Sequence, residues 1–240
     1  MRRRVLVAIV AVAALTACGS DNDGAVPLER GTTISERGTP PSERGTPRSS
    51  EGGAVLQGAP PEALVLGDSN LFESSASVDA AIRVVGFVPT LRGVPGFGLK
   101  DLETYWRDEL SALLAPDPAV VVVALGTNDT GTRADVDAFP DRLDAMMRAI
   151  GDHPVVWVTH VDERPFQVAG GAAAVNAAIR AARARWPNLT VLDRTAALSA
   201  DPSLLRRDGL HFTAAGAAAF AAEIASAARA RVPAASARPG

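Results

Sequence analysis

Apolar runs and amphipathic stretches alternate along the chain from about residue 61 onwards. Five short apolar runs have the length and composition of buried strands: 63–66, 82–88, 120–125, 155–158 and 189–192. Four longer stretches carry apolar residues at helical spacing: 99–114, 135–150, 169–186 and 214–230, the last with Thr213 as a predicted N-cap. The alternation predicts a five-stranded parallel sheet with helices on both faces.

The first 60 residues lack this pattern and divide into two segments. Three arginines precede an apolar stretch at 5–15, which is too short to span a membrane, so residues 1–17 are predicted to be a signal peptide. Residues 18–60 contain three seven-residue repeats that begin Glu-Arg-Gly-Thr and have no apolar face. We predict a disordered tether there, a folded domain over 61–232 and a disordered tail over 233–240.

Cys18 is the only cysteine in the chain, and it closes the run Leu-Thr-Ala-Cys after the apolar stretch. This run resembles a bacterial lipoprotein signal, in which cleavage before the cysteine leaves that residue lipidated. The resemblance implies an extracytoplasmic protein that is anchored to the cell membrane only through Cys18. An ordinary secretory signal with an incidental cysteine, and hence a secreted protein, is the alternative. A single cysteine also excludes an intrachain disulfide and a cysteine-based metal site.

Composition and charge narrow the range of partners. The chain has 240 residues, 47% of them hydrophobic, and a formal net charge of −3. It can therefore build a sizeable core, but its dispersed arginines form no basic stripe, so nucleic acid is not expected as a partner. His153 and His160 have no further ligands at metal-binding spacing. We expect no metal, no cofactor and a monomeric protein.

Polar residues suited to acyl transfer follow three of the predicted strands. Ser69 follows the first strand in Gly-Asp-Ser-Asn, a glycine-rich loop at 93–98 follows the second, and Asn128 follows the third in Gly-Thr-Asn-Asp. Because ligands bind beyond the carboxyl ends of parallel strands, all three are expected at the site edge. Downstream, Asp208 precedes His211 by three residues. At that spacing the carboxylate can accept from one imidazole nitrogen and leave the other for Ser69.

These residue types match the needs of ester cleavage. A serine hydroxyl becomes nucleophilic when a base, most often histidine, takes its proton, and the tetrahedral oxyanion needs hydrogen-bond donors. The available donors are the Ser69 N–H, the Asn128 amide and an N–H of the glycine loop. Each residue also has a simpler interpretation, with Asp208 as a helix cap and Asn128 as a turn residue. Their occurrence together favours catalysis.

Four stations along the chain resemble the four blocks of the SGNH hydrolase family, also called GDSL esterases. They are Gly-Asp-Ser at 67–69, Gly96, Gly-Thr-Asn-Asp at 126–129, and the pair Asp208 and His211. The resemblance implies a flavodoxin-like three-layer α/β/α sandwich. It also implies that Ser69 is the nucleophile, His211 the base and Asp208 the acid that orients the base.

The same resemblance implies an oxyanion hole made of the Ser69 N–H, the Gly96 N–H and Asn128. Gly98 is close enough to the second block that the choice between the two glycines stays open. Residue 70 is Asn instead of the Leu that gives one subfamily its letters, a change that the family commonly tolerates.

The remaining polar residues near these blocks have less specific interpretations. Asp68 and Asp129 are predicted to support the scaffold instead of taking part in the chemistry. His153 precedes a strand at the opposite end of the sheet, so a solvated loop is expected there. His160 follows the fourth strand at the site edge, where it could contact substrate.

The residues and the resemblance together imply an extracytoplasmic serine esterase that hydrolyses carboxylic esters through an acyl-serine intermediate. The predicted domain has short connections and no lid, which favours a shallow site and short acyl groups, such as acetyl esters of cell-envelope glycans. An acyltransferase with the same triad is one alternative. A non-catalytic envelope-binding lipoprotein is another, but the intact Ser69, Asp208 and His211 argue against it.

Overall fold

A computed structural model describes residues 59–161 and 167–232 of the chain. The predicted signal peptide, Cys18, the repeats and the tail over 233–240 lie outside the described residues. The described strands are β1 (Glu62–Gly67), β2 (Val88–Gly93), β3 (Val120–Ala124), β4 (Val155–Val158) and β5 (Leu189–Leu192). The described α-helices are α1 (Ser69–Val84), α2 (Arg107–Leu114), α3 (Arg133–Ile150), α4 (Gly171–Ala182), α5 (Thr195–Ala200) and α6 (Ala214–Arg231).

The strands pair in the order β2-β1-β3-β4-β5, and every pair is parallel. This is the strand order of flavodoxin-like sheets, in which β2 is added on one side of β1 and β3 to β5 are added on the other. The predicted five-stranded parallel sheet is confirmed. In the register of the sheet, Gly67 at the end of β1 lies between Gly93 of β2 and Ala124 of β3. Three chain segments therefore leave the sheet side by side at one edge.

Each strand buries its alternate residues against a different layer of helices, because side chains along a strand point to opposite faces. Leu64 and Leu66 of β1 belong to one core cluster with residues of α2, α3 and α4. Ala63 and Val65 belong to the other, with residues of α1, α5 and α6. All four side chains are at most 1% exposed. Burial on both faces explains the continuous apolar runs of the central strands and produces the three-layer sandwich.

The predicted strand at 82–88 is wrong. Ile82 lies on the buried face of α1, which continues past it, and Gly86 then turns the chain with a φ of +91°. The real β2 is an edge strand of partly exposed residues and contains Pro89, so it has no apolar run that local patterning could detect. The glycine-rich loop at 93–98 still follows the second strand, as predicted.

The helical predictions agree with α3, α4 and α6 apart from their ends, and differ from the structure elsewhere. The stretch at 99–114 is not one helix: a 3₁₀ turn at Leu99–Asp101 and a π-helical turn at Leu102–Trp106 precede α2. The helices α1 and α5 have no counterpart among the predicted helices. Thr213 caps α6 as expected, because its hydroxyl accepts from the Gly216 N–H. Within the described residues, none of the helices combines the length and the apolar character that crossing a bilayer requires.

Candidate active site

Ser69 is the first residue of α1, directly beyond the carboxyl end of β1. The buried Asp68 caps this helix, since its Oδ1 accepts from the Asn70 N–H at 2.9 Å. A Cβ at Gly67 would lie 2.6 Å from Cβ of Leu71, so only glycine allows the helix to begin so close to the strand. These contacts agree with a scaffold role for Asp68. They hold Ser69 at the edge of the sheet.

His211 lies between Ser69 and Asp208. Its Nε2 is 3.0 Å from the Ser69 Oγ, and its Nδ1 is 2.8 Å from Oδ2 of Asp208. The other carboxylate oxygen of Asp208 accepts from the backbone N–H groups of Leu210 and His211, at 2.8 and 3.0 Å. In the neutral imidazole, a proton on Nδ1 would be donated to Asp208 and Nε2 would accept from the Ser69 hydroxyl.

The acid of this series is ionised at neutral pH. The hydrogen bond from the His211 side chain, together with that from its backbone N–H, lowers the pKa of Asp208 to about 2. A carboxylate that stays ionised can stabilise the imidazolium that forms when the histidine takes a proton. The series is also open to solvent, since the side chains of His211 and Asp208 are 23% and 41% exposed.

The loops after the first three strands are joined by hydrogen bonds at this edge. The Val94 N–H donates to the Gly67 carbonyl at 2.9 Å, which ties the glycine loop to β1. The Asn128 Nδ2 donates to the Phe97 carbonyl, also at 2.9 Å. An amide nitrogen carries two hydrogens, so Asn128 has a second one to offer a ligand.

The two candidate glycines differ in their surroundings. The Gly98 N–H donates to the Asp101 carboxylate at 2.8 Å, and a Cβ at Gly98 would lie 2.4 Å from a carboxylate oxygen of Asp129. Gly96 is exposed and has a φ of +81°. Its N–H makes no hydrogen bond within the described part of the chain. The structure therefore favours Gly96 as the candidate donor.

Asp129 binds the backbone of the turn that directly follows the glycine loop. It is fully buried, and its oxygens accept from the N–H groups of Leu99 and Lys100 at 2.8 and 2.7 Å. Burial raises the pKa of Asp129 to about 6, although these bonds and the nearby Arg142 oppose the change. These contacts are those of a scaffold residue that fastens the start of the 99–101 turn to the loop after β3.

The two other histidines lie in different parts of the fold. His160 is only 7% exposed, and its backbone N–H and carbonyl both bind the side chain of Asn176. A Cβ at Gly126 would lie 2.9 Å from its Cε1, so the ring packs against the third block. His153 lies near the opposite end of the sheet, where its Nδ1 is 3.0 Å from the Pro118 carbonyl.

Sequence reasoning missed two arginines near the histidine. The buried Arg194 forms an ion pair with Glu223, and its guanidinium lies 4.9 Å from the ring centre of Phe212. Burial lowers the pKa of Arg194, and Glu223 opposes this change. Arg206 binds backbone and side-chain groups around His211. Neither arginine stands in a recognisable motif, so no local signal could have identified them. The described residues contain no group of three or more His, Cys, Asp or Glu that could hold a metal ion.

An α/β/α sandwich with a serine, a histidine and an aspartate in hydrogen-bonded series defines a class of acyl hydrolases. Residues 66–219 match the model of the GDSL-like lipase/acylhydrolase family, and the chain belongs to that family. This confirms the family predicted from the four blocks, and it makes the protein a carboxylic ester hydrolase.

Solved structures share the fold at low sequence identity. A lipase/acylhydrolase from Enterococcus faecalis has a TM-score of 0.62 and 23% identity, over 72% of this chain and 97% of that one. The C-terminal catalytic domain of peptidoglycan O-acetyltransferase A from Streptococcus pneumoniae has a TM-score of 0.57 and 20% identity, over 72% and 96%. An acetyl xylan esterase has a TM-score of 0.57 and 22% identity, over 69% and 98%. A direct comparison with curated protein sequences gave no match.

Proposed function

We propose that this protein is an extracytoplasmic serine esterase that removes short acyl groups, above all acetyl, from glycans of the cell envelope. The observation that carries the proposal is the hydrogen-bonded series Asp208, His211 and Ser69 at an open sheet edge. The chemistry follows from this geometry. The substrate class rests on the openness of the site and on likeness to other esterases.

In the acylation half of the reaction, His211 Nε2 takes the hydroxyl proton of Ser69 while Oγ forms a bond to the ester carbonyl carbon. The carbonyl oxygen becomes an oxyanion. The Ser69 N–H, the Gly96 N–H and the second amide hydrogen of Asn128 are its proposed donors. Collapse of this intermediate breaks the bond to the alkoxy oxygen. The imidazolium donates its proton to that oxygen, the alcohol leaves, and the acyl group stays on Ser69.

In the deacylation half, water attacks the acyl carbon and His211 takes one of its protons. The second tetrahedral intermediate expels the Ser69 oxygen, which recovers a proton from the imidazolium. The carboxylic acid is released and the resting enzyme is restored. Asp208 stays ionised in both halves, because the hydrogen bonds from His211 hold its pKa at about 2.

The surroundings of the series support a small acyl group on a polar, bulky alcohol. A groove of about 310 Å³ lies beside the series. It is lined by the residues that follow Ser69 and His211, by two charged side chains and by three hydroxyl side chains: Asn70, Phe212, Glu73, Arg206, Ser74, Ser77 and Thr213. Polar walls of this kind suit a hydroxyl-rich sugar better than a fatty chain. Two of the proteins with similar folds are named for acetyl groups on polysaccharides, one as an acetyl xylan esterase and one as a peptidoglycan O-acetyltransferase.

The proposed location rests on the sequence. The run that ends in Cys18 supports export and lipid anchoring, and the repeats over 29–49 support a spacer between the membrane and the enzyme. An envelope-facing enzyme on such a spacer would reach acylated glycans close to the membrane.

The proposal can be tested with the full chain in mild detergent. Turnover of p-nitrophenyl esters from acetyl to decanoyl should be fastest for the shortest acyl groups. Acetate should also be released from O-acetylated peptidoglycan or acetylated xylan, and the Ser69→Ala variant should release none. A wild-type enzyme that prefers decanoyl esters and leaves both glycans untouched would contradict the substrate class. Transfer of the acyl group to an added glycan faster than to water would instead support the acyltransferase alternative, which the Streptococcus pneumoniae structure keeps open.

A further inference from the structure

We propose that Arg206 is a positioning residue that sets His211 against Ser69, and that it does so through Glu73. The inference rests on the proposed function, because it concerns the reactive pair of that site. It assigns a role to two charged side chains that neither touch the reacting atoms nor stand in any of the four blocks. The segment 205–213, which carries the acid and the base, is called the histidine loop below.

Arg206 binds the backbone carbonyls of the base and of the residue that follows the base. Its own N–H donates to the His211 carbonyl at 2.7 Å, and its Nε donates to the Phe212 carbonyl at 2.9 Å. Its carbonyl accepts from the Gly209 N–H at 2.9 Å. One residue therefore braces the backbone of the histidine loop at three points.

The same guanidinium reaches the helix that carries the nucleophile. The Arg206 Nη2 is 2.6 Å from Oε2 of Glu73. Glu73 lies four residues after Ser69 in α1, and residues at this spacing share one side of a helix. The contact thus joins the histidine loop to α1 one turn beyond Ser69, on the side from which Ser69 meets the imidazole.

Two polar contacts between described residues join the histidine loop to α1. One is the hydrogen bond between His211 and Ser69, which must change during the reaction. The other is the Arg206–Glu73 pair, which takes no part in bond making. Other hydrogen bonds of the loop, such as that from the Thr213 N–H to the carbonyl of the preceding Leu204, join its two ends to each other and do not involve α1. Phe212 of the loop also packs in the core cluster that contains residues of α1. Of the two polar contacts, the ion pair is the one that stays in place during the reaction, so it can fix the spacing between base and nucleophile more closely than packing alone.

This position predicts an effect on rate and little effect on stability. The side chains of Arg206 and Glu73 are 51% and 36% exposed, and exposed ion pairs contribute little to folding. Reaction rates respond more steeply, since a misplacement of about 1 Å can cost about 100-fold. Loss of the pair should loosen the histidine against α1 while the sheet and both cores stay intact.

The test compares variants of the full chain in detergent. Arg206→Gln, Glu73→Gln and the double variant remove the ion pair, and Arg206→Lys keeps the positive charge but loses the Nε contact. Arg83→Gln is the matched control. It breaks the Arg83–Asp79 pair on the same helix, at 2.7 Å and with side chains 57% and 39% exposed, away from the site. Turnover, KM, melting temperature and the rate of fluorophosphonate labelling at Ser69 are measured for each.

We expect each Gln variant to lower kcat on p-nitrophenyl acetate and the labelling rate by about tenfold. The KM for this small ester should stay within about twofold of wild type, because it carries no glycan that could bind Glu73 or Arg206 in the groove. The double variant should lose no more than Arg206→Gln alone, because that variant already lacks the contact with Glu73 as well as the Nε contact with Phe212. Arg206→Lys should fall between wild type and Arg206→Gln. Arg83→Gln should match wild type, and all melting temperatures should agree within a few degrees.

Other outcomes separate the two proposals. Arg206→Gln and Glu73→Gln variants that turn over and label like Arg83→Gln would overturn the positioning role and leave the esterase proposal standing. A wild type that labels but cleaves no ester would contradict the proposed function, and the labelling rates would still decide the role of Arg206. A wild type that neither cleaves nor labels would overturn both. Should Arg206→Gln fail to fold, Glu73→Gln decides, because it leaves the contacts of Arg206 within the loop intact.

Discussion

The Asn128 side chain donates to the Phe97 carbonyl at 2.9 Å, which joins the loop after β3 to the glycine loop after β2. One amide hydrogen is used in this contact, and the other is the proposed donor to the oxyanion. The residue therefore has a structural and a proposed catalytic task at the same nitrogen. A variant can separate the two tasks, because they affect different measurements.

Asn128→Ala should lower kcat by about 10²- to 10³-fold with little change in KM, because an oxyanion donor acts only in the transition state. Steady-state kinetics on p-nitrophenyl acetate measure this, after circular dichroism has shown that the variant is folded. Asn188→Ala is the control. The Asn188 amide also joins two backbone carbonyls, of Gly151 and His153, but far from the site. If a folded Asn128→Ala enzyme keeps the wild-type kcat, Asn128 is not an oxyanion donor.

Ser69→Ala should abolish ester turnover, and a fluorophosphonate probe should label Ser69 in the wild type. The reason is that Ser69 alone among the described serines is hydrogen-bonded to an imidazole paired with a carboxylate. Ser75→Ala, a change of a partly buried serine on the same helix, should keep both activities. Mass spectrometry of the labelled peptide identifies the site. Labelling at another serine would refute the assignment.

The acid limb of the pH–rate profile should contain a single ionisation. Protonated His211 cannot accept the serine proton, so kcat/KM should fall as the pH is lowered. The His211 hydrogen bond holds the pKa of Asp208 at about 2, so this carboxylate stays ionised over the range from pH 8 to 4 and adds no second ionisation. A slope of one in log kcat/KM against pH is therefore expected. A slope of two, or a rate independent of pH, would contradict the series.

The buried Asp129 should make the protein less stable as the pH rises from about 4 to 6. Its pKa is about 6 in the folded state and about 3.8 in the unfolded chain, so the folded state binds more protons within this window. Stability then falls with rising pH, by up to about 3 kcal/mol for such a shift. Urea unfolding of wild type and Asp129→Asn at pH 4 and 7 isolates the effect, because the variant lacks the titrating group.

The exposed Asp137 on α3 supplies the control for that experiment. Asp137→Asn should follow the pH dependence of the wild type. The unfolding free energy of the wild type minus that of Asp129→Asn should fall between pH 4 and 7, because only the wild type loses stability through this group. A constant difference would show that Asp129 is ionised in the folded protein throughout this range.

Cys18 should carry lipid in the mature protein, because it is the sole cysteine and follows the apolar stretch directly. Mass spectrometry of the mature N-terminus checks this, and Cys18→Ser should move the enzyme to the soluble fraction. A fragment that starts near residue 60 should be soluble and as active as the full chain, since the four blocks lie beyond that point. An unmodified mature N-terminus would refute lipidation.

The sequence by itself determined the central strands and the positions of the four blocks. The strands at 120–124 and 155–158 are buried on both faces, so their apolar runs show in the sequence. The first three blocks follow strand ends, and parallel strands end at a common edge. Family membership depended on these short local patterns, which need no knowledge of long-range contacts.

Tertiary structure decided what local patterns do not contain. The strand β2 escaped prediction because an edge strand is half exposed and has no apolar period, and α1 took its apolar residues instead. The choice of Gly96 over Gly98 as the candidate oxyanion donor depended on the Asp101 and Asp129 carboxylates, which occupy the space around Gly98. Arg206 meets Glu73 across the fold. The sequence around a charged surface residue does not reveal its ion-pair partner, because the partner depends on tertiary packing and not on the neighbouring residues in the chain.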